Sequence, residues 1–303
     1  MSATELGASL LADLSNQLGN AVERAGASVV MVDARQRQTA SGVVWDASGL
    51  ILTADHVLER DEDIAIWLPD GATTSGTIVG RDPGTDLALL RVEASGLTPI
   101  QRGPAPRVGH LALAVARPSG ALSTSIGIVS AIDGPIRTRR GGQIDGLIRT
   151  DATFYPGFSG GALAGANGQL LGLATSFGRG GGMAIPLETL ERVTSALLSH
   201  GRVKRGFLGL TSQPVALPQS LRTAHGLEQE SGLLVVGVEV GGPAERGGLI
   251  IGDVLVNLAG QPIRSTDDLL NQLGSERVGQ PTAARVVRGG EPRDLTITIG
   301  ERE

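Results

Sequence analysis

The stretch Tyr155-Pro-Gly-Phe-Ser-Gly-Gly-Ala-Leu163 decides how this chain is read. It places one serine, Ser159, in a loop built almost entirely of turn residues. Pro156, Gly157, Gly160 and Gly161 allow a tight backbone path and close approach of a ligand. Apolar, strand-like segments lie on either side. Such a loop presents one hydroxyl on a rigid edge, with backbone N–H groups beside it. Taken alone, the stretch is also compatible with a glycine-rich hairpin carrying an incidental serine. The rest of the chain has to decide.

The chain has 303 residues, enough for about two domains. It is 41% hydrophobic but only 2% aromatic, so its core must be built from Val, Leu, Ile and Ala. The 45 glycines and many short apolar runs point to a mainly β architecture with frequent turns. The formal net charge is -5, and no long run of like charge occurs, which argues against nucleic acid as a partner. The cluster Arg137, Arg139 and Arg140 is too short to change that and reads as a solvated loop. Cysteine is absent, which excludes disulfides and thiolate–metal sites, and no cofactor or metal is called for. Residues 1–17 carry Glu5 and Asp13 and lack a basic segment leading into an apolar one, so they do not read as a signal peptide. No run approaches the length of a membrane span. The expectation from the sequence as it stands is a cytoplasmic protein. A periplasmic or cell-envelope location is the alternative for a processed chain.

Residues 5–25 carry Leu6, Leu10, Leu14, Leu18 and Val22 at a spacing of four, the stripe of an amphipathic helix. Its polar face holds few cations, so it should dock on the protein body or on another subunit rather than on a membrane. From Ala27 the period shortens. Strands are expected at 29–32, 41–45, 50–53, 64–68, 74–80 and 87–92. A second set follows the Pro-rich seam Gly103-Pro-Ala-Pro106, at 111–116, 125–132, 146–151, 161–163, 170–176 and 183–186. Two strand sets imply two barrels or sandwiches packed together. A helix over 187–198 follows. After it, 206–303 form a smaller unit with strands at 207–211, 233–240, 254–258, 282–287 and 294–299. Its helices are expected at 243–247 and 266–273, the latter with Ser265 or Thr266 as N-cap and Gly274 as its stop.

A serine hydroxyl needs a base, normally an imidazole held in the right tautomer. Of the four histidines, His110, His200 and His225 sit in seam, linker and loop and read as surface or structural residues. His56 follows the apolar run Leu50-Ile-Leu-Thr53, a rigid mount for a base. Asp86, in Thr85-Asp-Leu-Ala-Leu-Leu90, is a carboxylate beside an apolar run and must be partnered if buried. Asp55 adjoins His56, but neighbours on an extended segment face opposite ways, so it is set aside. Asp82 reads as a turn residue before Pro83. The order His56, Asp86, Ser159 is one of several that arrive at the same geometry.

Here a resemblance becomes specific. The chain resembles the HtrA/Deg family of serine endopeptidases, a trypsin-like protease domain followed by a PDZ domain. The match is carried by Ser41-Gly-Val-Val-Trp45 with Leu52-Thr-Ala-Asp-His-Val57, by Thr85-Asp-Leu-Ala-Leu-Leu-Arg91, and by Thr150-Asp-Ala-Thr-Phe-Tyr-Pro-Gly-Phe-Ser-Gly-Gly161. It continues in Arg205-Gly-Phe-Leu-Gly-Leu210, Gly242-Pro-Ala-Glu-Arg-Gly-Gly-Leu249 and Gly252-Asp-Val-Leu255. The resemblance implies a chymotrypsin-like double β-barrel followed by a small α+β PDZ domain. The expected division is an N-terminal helix over 1–26, a protease domain over 27–200, a linker over 201–205 and a PDZ domain over 206–303.

By the same resemblance Ser159 is the nucleophile, His56 the base and Asp86 its orienting carboxylate. The backbone N–H groups of Gly157 and Ser159 form the oxyanion hole. The family usually has Asn before the nucleophile and Pro after the second glycine; Phe158 and Ala162 stand there. Digestive relatives have Asp before the serine to pair with a newly cut N-terminus, which Phe158 cannot do, so no zymogen cleavage is expected. Selection of Lys or Arg needs a carboxylate six residues before the nucleophile, and Thr153 occupies that position. With Phe154 and Thr175, it implies a small uncharged pocket and cleavage after aliphatic residues. Gly206-Phe-Leu-Gly209 matches the PDZ carboxylate loop, where a peptide C-terminus adds as a strand, with Leu269, Leu270 or Leu273 lining the apolar pocket. The run Gly178-Arg-Gly-Gly-Gly182 lacks the features of a phosphate cradle and reads as a loop beside the specificity pocket. The expected partners are unfolded protein or peptide, and peptide C-termini. The family's trimers use aromatics near the N-terminus. Residues 1–44 contain none, which leaves the leucine-striped helix as the alternative contact of a homotrimer. Two functions follow: an ATP-independent endopeptidase of protein quality control, or a peptide-binding, chaperone-like module that keeps the fold with little hydrolysis.

Overall fold

The computed structural model describes residues 3–138, 141–175 and 181–301. The chain forms two compact units that divide between Val203 and Lys204. The first opens with helix α1 (Ala3–Gly26). Strands β1 (Val29–Asp33), β2 (Ala40–Val44), β3 (Leu50–Ala54), β4 (Ile64–Trp67), β5 (Thr73–Asp82) and β6 (Leu87–Val92) then close a barrel in the order β1-β2-β3-β6-β5-β4. β7 (Leu111–Ala116) and β8 (Ser123–Ile132) begin a second barrel. A two-stranded ribbon, β9 (Ile136–Arg137) with β10 (Gln143–Ile144), interrupts it. β11 (Ile148–Thr150), β12 (Ala162–Ala164), β13 (Leu170–Thr175) and β14 (Gly182–Pro186) complete it in the order β11-β14-β13-β12-β7-β8. Helix α2 (Leu187–His200) ends the unit. This is the expected mainly β, chymotrypsin-like double barrel.

The continuous apolar runs of β3, β6 and β7 have a common cause. Successive side chains on a strand point to opposite faces, and here both faces are buried. Ile51, Ala54, Ala88 and Leu90 fill the first barrel. Their neighbours Leu50, Leu52, Leu87 and Leu89 face the seam between barrels, where they meet Leu113, Val115, Ala162, Leu170 and Leu173 of the second. Inside the second barrel, Val129, Ile148, Leu163 and Leu171 form one cluster, and a neighbouring one is lined by small residues. Ala114, Ala116 and Ala152 leave space that Phe158 fills, and its side chain is only 1% exposed. A chain with four phenylalanines thus commits one of them to this plug.

Helix α1 is half docked. Leu18, Ala21, Val22 and Ala25 pack against the seam core, whereas Leu10, Leu11 and Leu14 are exposed. At the other end of the unit, His200 lies in the last turn of α2, and Gly201 caps the helix at φ 70. Arg202 bridges to Arg81, so residues 201–203 pack with the first unit. Of the arginine cluster, Arg137 lies in β9, while Arg139 and Arg140 fall outside the described residues. Short ribbons such as β9–β10 have too few residues to show a period, which is why the sequence pattern misses this one.

The second unit contains β15 (Gly206–Phe207), β16 (Leu210–Ala216), α3 (Gln219–His225), β17 (Ser231–Val238), α4 (Pro243–Arg246), β18 (Val254–Leu258), β19 (Gln261–Pro262), α5 (Thr266–Asn271), β20 (Pro281–Arg288), β21 (Glu291–Thr298) and β22 (Gly300–Glu301). The main sheet runs β16-β17-β18-β20-β21, with β16 at one edge. The unforeseen α3 has no buried residue and so no apolar stripe to announce it. α5 starts in a capping box in which Ser265 and Asp268 each satisfy the other's backbone N–H. Its end differs from expectation. Gln272 is the C-cap, in a right-handed conformation, and Gly274 instead precedes a 3-10 turn over Ser275–Arg277.

Asp253, from the quoted Gly-Asp-Val-Leu stretch, anchors this unit. Its fully buried carboxylate accepts from Arg288 Nε at 2.7 Å, Arg288 Nη2 at 2.8 Å and the Ile250 N–H at 3.0 Å. Burial alone would raise its pKa. The Arg288 hydrogen bonds, the Ile250 N–H and the Arg288 charge outweigh burial and hold it below its ordinary 3.8. A depressed carboxylate contributes stability that is present above the unfolded value and lost as pH falls through the folded one. Asp253→Asn is therefore expected to destabilise this unit by about 1.5–3 kcal/mol at neutral pH. It should also make the loss of stability below about pH 4 shallower. Urea melts of the full chain across pH 2–7 measure both, and an unchanged acid limb would contradict the assignment.

Candidate active site

β3 and β6 are neighbours, with Ala54 opposite Leu87. The end of one strand therefore lies beside the start of the other, which brings together residues thirty positions apart. His56 sits in a 3-10 turn, Asp55–Val57, that immediately follows β3. Asp86 precedes β6 with φ 59, a left-handed conformation rare for a residue with a side chain. Its backbone carbonyl accepts the Asp55 N–H at 3.1 Å, so the strained residue is pinned to the histidine turn. Ser159 comes from the second barrel, in the turn between β11 and β12.

The three side chains form one hydrogen-bonded line. His56 Nδ1 lies 2.8 Å from Asp86 Oδ2 and 2.9 Å from Oδ1. His56 Nε2 lies 3.1 Å from Ser159 Oγ. A carboxylate only accepts, so Nδ1 carries the proton and Nε2 presents a lone pair to the hydroxyl. Asp86 also accepts the backbone N–H of His56 at 2.9 Å and the Thr175 hydroxyl at 2.5 Å. Asp86 is 10% exposed at its side chain and His56 31%, so the carboxylate is enclosed while the imidazole edge reaches solvent. An array of this kind can take the hydroxyl proton at Nε2 as Oγ attacks a carbonyl carbon, then return it to a leaving amine.

The histidine turn is braced from outside. Arg81 Nε donates to Asp55 Oδ1 at 2.6 Å, and Arg81 Nη2 to the carbonyls of Asp55 and Leu58 at 3.2 and 3.1 Å. Arg81 Nη1 reaches Asp61 at 2.7 Å. Burial works against the Arg81 charge, but the two carboxylates outweigh it and raise its pKa. Arg35 donates to the His56 carbonyl at 2.7 Å. Asp55 thus faces away from the site, as expected, although it does so from a 3-10 turn rather than an extended segment. Arg81 and Arg35 were not legible as site residues, because an arginine in or near a strand carries no distinguishing pattern. Asp82 is the turn residue it was read to be, accepting the Gly84 N–H at 3.1 Å and the Thr85 hydroxyl at 2.7 Å.

The serine loop is a tight structure. Phe158 N–H donates to the Tyr155 carbonyl at 3.0 Å. With Pro156 second and Gly157 third at φ 86, that turn has the features of type II. Phe158 turns inward into the barrel, with its ring 5.4 Å from Tyr155 edge-on and 6.5 Å from Phe154. Ser159 is thereby left at the surface of the seam. Gly160 has φ 83, and a Cβ there would fall 2.1 Å from the Ser41 carbonyl oxygen, so only glycine fits. The Ser41 N–H donates to the Ser159 carbonyl at 3.1 Å, and the Ser41 hydroxyl to the Gly157 carbonyl at 2.9 Å.

The other expected site residues are dispersed differently. Thr153 is exposed, its carbonyl accepting from Ser125 Oγ at 2.6 Å. Phe154 is half-buried beside Gly182, where a Cβ would lie 2.7 Å from its ring. Thr175, expected to line the pocket, is instead buried with its hydroxyl on Asp86. A short polar side chain beside a buried carboxylate is drawn to it rather than to the pocket. Residues 178–180 of the glycine run fall outside the described residues. His110 is exposed against Arg107, and His225 contacts the Gly290 carbonyl. In the second unit Gly206 and Phe207 pair with β22. Leu208 is buried, with its carbonyl accepting the Ala244 N–H at 2.7 Å. Gly209 has φ 74. Leu269 points into the core, Leu273 packs at its margin, and Leu270 is half-buried. Among the described residues, no group of three or more His, Asp or Glu side chains is placed to hold a metal ion.

Comparison with known proteins matches this architecture. The family model of the trypsin-like peptidase domain matches residues 40–173, and that of the PDZ domain residues 206–299. The probable periplasmic serine endoprotease DegP-like of Ectopseudomonas mendocina is 36% identical over 278 residues. That alignment covers 88% of this chain but 58% of the relative, so the chain spans little more than half of that protein's length. The putative serine protease HhoB of Synechocystis is 31% identical over 286 residues, covering 88% of this chain and 68% of its own. A serine endoprotease from Yersinia pestis superposes with TM-score 0.79 at 32% identity, over 94% of this chain and 98% of its own. The HtrA-type protease AlgW, solved with a decapeptide, does so with TM-score 0.79 at 32% identity, over 94% of this chain and 99% of its own. Likeness at this identity, across both domains and nearly all of a solved relative, goes beyond a shared fold, and the chain belongs to the HtrA-type serine proteases.

Proposed function

We propose that the protein is an ATP-independent serine endopeptidase that cleaves unfolded or exposed polypeptide through an acyl-enzyme. The observation that carries this is the unbroken line from Asp86 through His56 to Ser159 Oγ. Ser159 is the nucleophile and His56 the base that later protonates the leaving amine. Asp86 fixes the imidazole tautomer and stabilises the imidazolium. The N–H groups of Gly157 and Ser159 receive the oxyanion, an interaction worth about 3–4 kcal/mol per donor. Phe158 does not hinder this, because it is spent in the barrel core. A fluorophosphonate probe is expected to label the protein at one site, and Ser159→Ala to abolish labelling and hydrolysis while the chain stays folded by circular dichroism. Absence of labelling, with or without a C-terminal peptide, would leave a peptide-binding module without hydrolysis as the surviving reading.

The exposed Thr153 and half-buried Phe154 support an uncharged specificity pocket. Cleavage is expected after Val, Ala or other small aliphatic residues. Reporter peptides differing only at that position test it. Rapid turnover of the arginine reporter with none of the valine or alanine reporter would refute it.

The second unit, in this reading, binds peptide C-termini. β16 is an edge strand, and α5 lies close beside it, which is the frame into which a peptide adds as a further strand. AlgW was solved with a decapeptide, which supports a peptide ligand here. Relatives named periplasmic favour the cell-envelope location over the cytoplasmic one read from the sequence. No described helix is long and apolar enough to cross a membrane. The exposed Leu10, Leu11 and Leu14 of α1 support self-association as a homotrimer. Light scattering is expected to give three times the 31.0 kDa chain mass, and a monomer at micromolar concentration would exclude it.

A further inference from the structure

Ser41 is fully buried and touches the serine loop at two points. Its hydroxyl donates to the Gly157 carbonyl at 2.9 Å and accepts the Arg117 N–H at 3.0 Å. Its own N–H donates to the Ser159 carbonyl at 3.1 Å, and its carbonyl accepts from Thr53 Oγ1 at 2.7 Å. Arg117 is in turn fixed by three carbonyls, Val29 at 2.7 Å, Gly120 at 3.1 Å and Gly26 at 3.2 Å. Ser41 is thus held on one side by β3 and on the other by a segment tied to the end of α1.

The consequence follows from peptide geometry. The N–H of Gly157 belongs to the 156–157 peptide plane and that of Ser159 to the 158–159 plane, so the single 157–158 plane links the two donors. A pair of donors stabilises one oxyanion only if both aim at the same point. The 158–159 plane is held by the Gly161 N–H on the Phe158 carbonyl at 2.9 Å. The 157–158 plane is held at one edge by Phe158 N–H on Tyr155, and at the other by the Ser41 hydroxyl. Gly157 has no side chain to limit rotation about its Cα. Without Ser41, nothing described in the structure grips the Gly157 carbonyl. We propose that Ser41 is a positioning residue that sets the relative aim of the two oxyanion donors, with the Arg117 backbone orienting its hydroxyl. This rests on the protease reading above.

The test compares Ser41→Ala and Ser41→Cys with the wild type on a valine or alanine reporter, together with a peptide boronic acid that mimics the tetrahedral oxyanion. For Ser41→Ala, kcat is expected to fall about tenfold, less than the ~10²–10³ of deleting a donor outright, because the donors remain and only their aim loosens. KM should stay within about twofold, and boronate affinity should fall in parallel with kcat/KM, since aim matters only in the transition state. Ser41→Cys keeps the volume and a weak S–H donor, so it should lie between the two; it also serves if the alanine variant does not fold. Wild-type kcat and boronate affinity in both variants would overturn the proposal. So would lowered thermal stability with unchanged boronate affinity, which marks a purely structural residue. A wild type that fails to label with fluorophosphonate defeats the protease reading itself. A wild type that labels beside an unaltered Ser41→Ala defeats only the positioning role.

Discussion

The seam between the two barrels is the constraint on which the rest of the first unit depends. A strand that closes one barrel has a second face, and in β3, β6, β7, β12 and β13 that face is buried against the other barrel. The seam is therefore as buried as either interior, and it holds the two closed sheets together. Side chains drawn from different barrels can then meet to within a hydrogen bond without any loop having to find them. His56 and Asp86 ride on the ends of β3 and β6, while Ser159 lies just before β12, and all three of these strands pack along the seam. Burial of Leu50, Leu52, Leu87 and Leu89 on one side is thus directly connected to the 3.1 Å contact on the other.

Geometry at the site has a local cost that this rigidity sustains. Asp86 occupies a left-handed conformation, where a residue with a side chain is strained by about 1–3 kcal/mol. Its carboxylate is nearly enclosed, which is unfavourable unless satisfied. Both costs are offset by the same neighbours. Its carbonyl takes the Asp55 N–H, and its carboxylate takes the His56 N–H, the imidazole and the Thr175 hydroxyl. The residue that orients the imidazole is itself over-determined. Arg81 extends the bracing outward by tying Asp55, Leu58 and Asp61 together.

Much of this was legible in the sequence because it follows from period and turn chemistry. The six-strand sets, α1, α2 and the N-cap of α5 all leave a mark in hydrophobic spacing or at a cap position. His56, Asp86 and Ser159 stood out because each adjoins an apolar run that had to be a buried strand. What stayed hidden depends on contacts distant in sequence. Thr175 and Asp86 are separated by 89 positions, and only the barrel closure shows that the hydroxyl belongs to the carboxylate rather than to the pocket. Ser41 and Gly157 are 116 apart. Ser41 was visible as part of a motif, but a serine beside a glycine at the start of a strand gives no hint of which carbonyl it will hold. Short elements such as α3 and the β9–β10 ribbon were missed for the opposite reason: they bury too little to impose a pattern.

Phe158 joins these threads. In a digestive relative the residue before the nucleophile is an acid awaiting a new N-terminus, so the loop is assembled by a covalent event. Here the same position is apolar and enters the barrel, held by Ala114, Ala116 and Ala152 around it. Loop order then draws on hydrophobic burial, which is present as soon as the barrel closes. An apolar plug fixes where the loop sits but is indifferent to how its peptide planes rotate, because dispersion contacts are non-directional. Orientation needs hydrogen bonds, and in this loop they come from Tyr155, Gly161, Ala174 and Ser41. Three of those four belong to the loop or to the strand paired with it. Ser41 alone reaches across from the first barrel, so the aim of the loop is referred to the same barrel that carries His56 and Asp86.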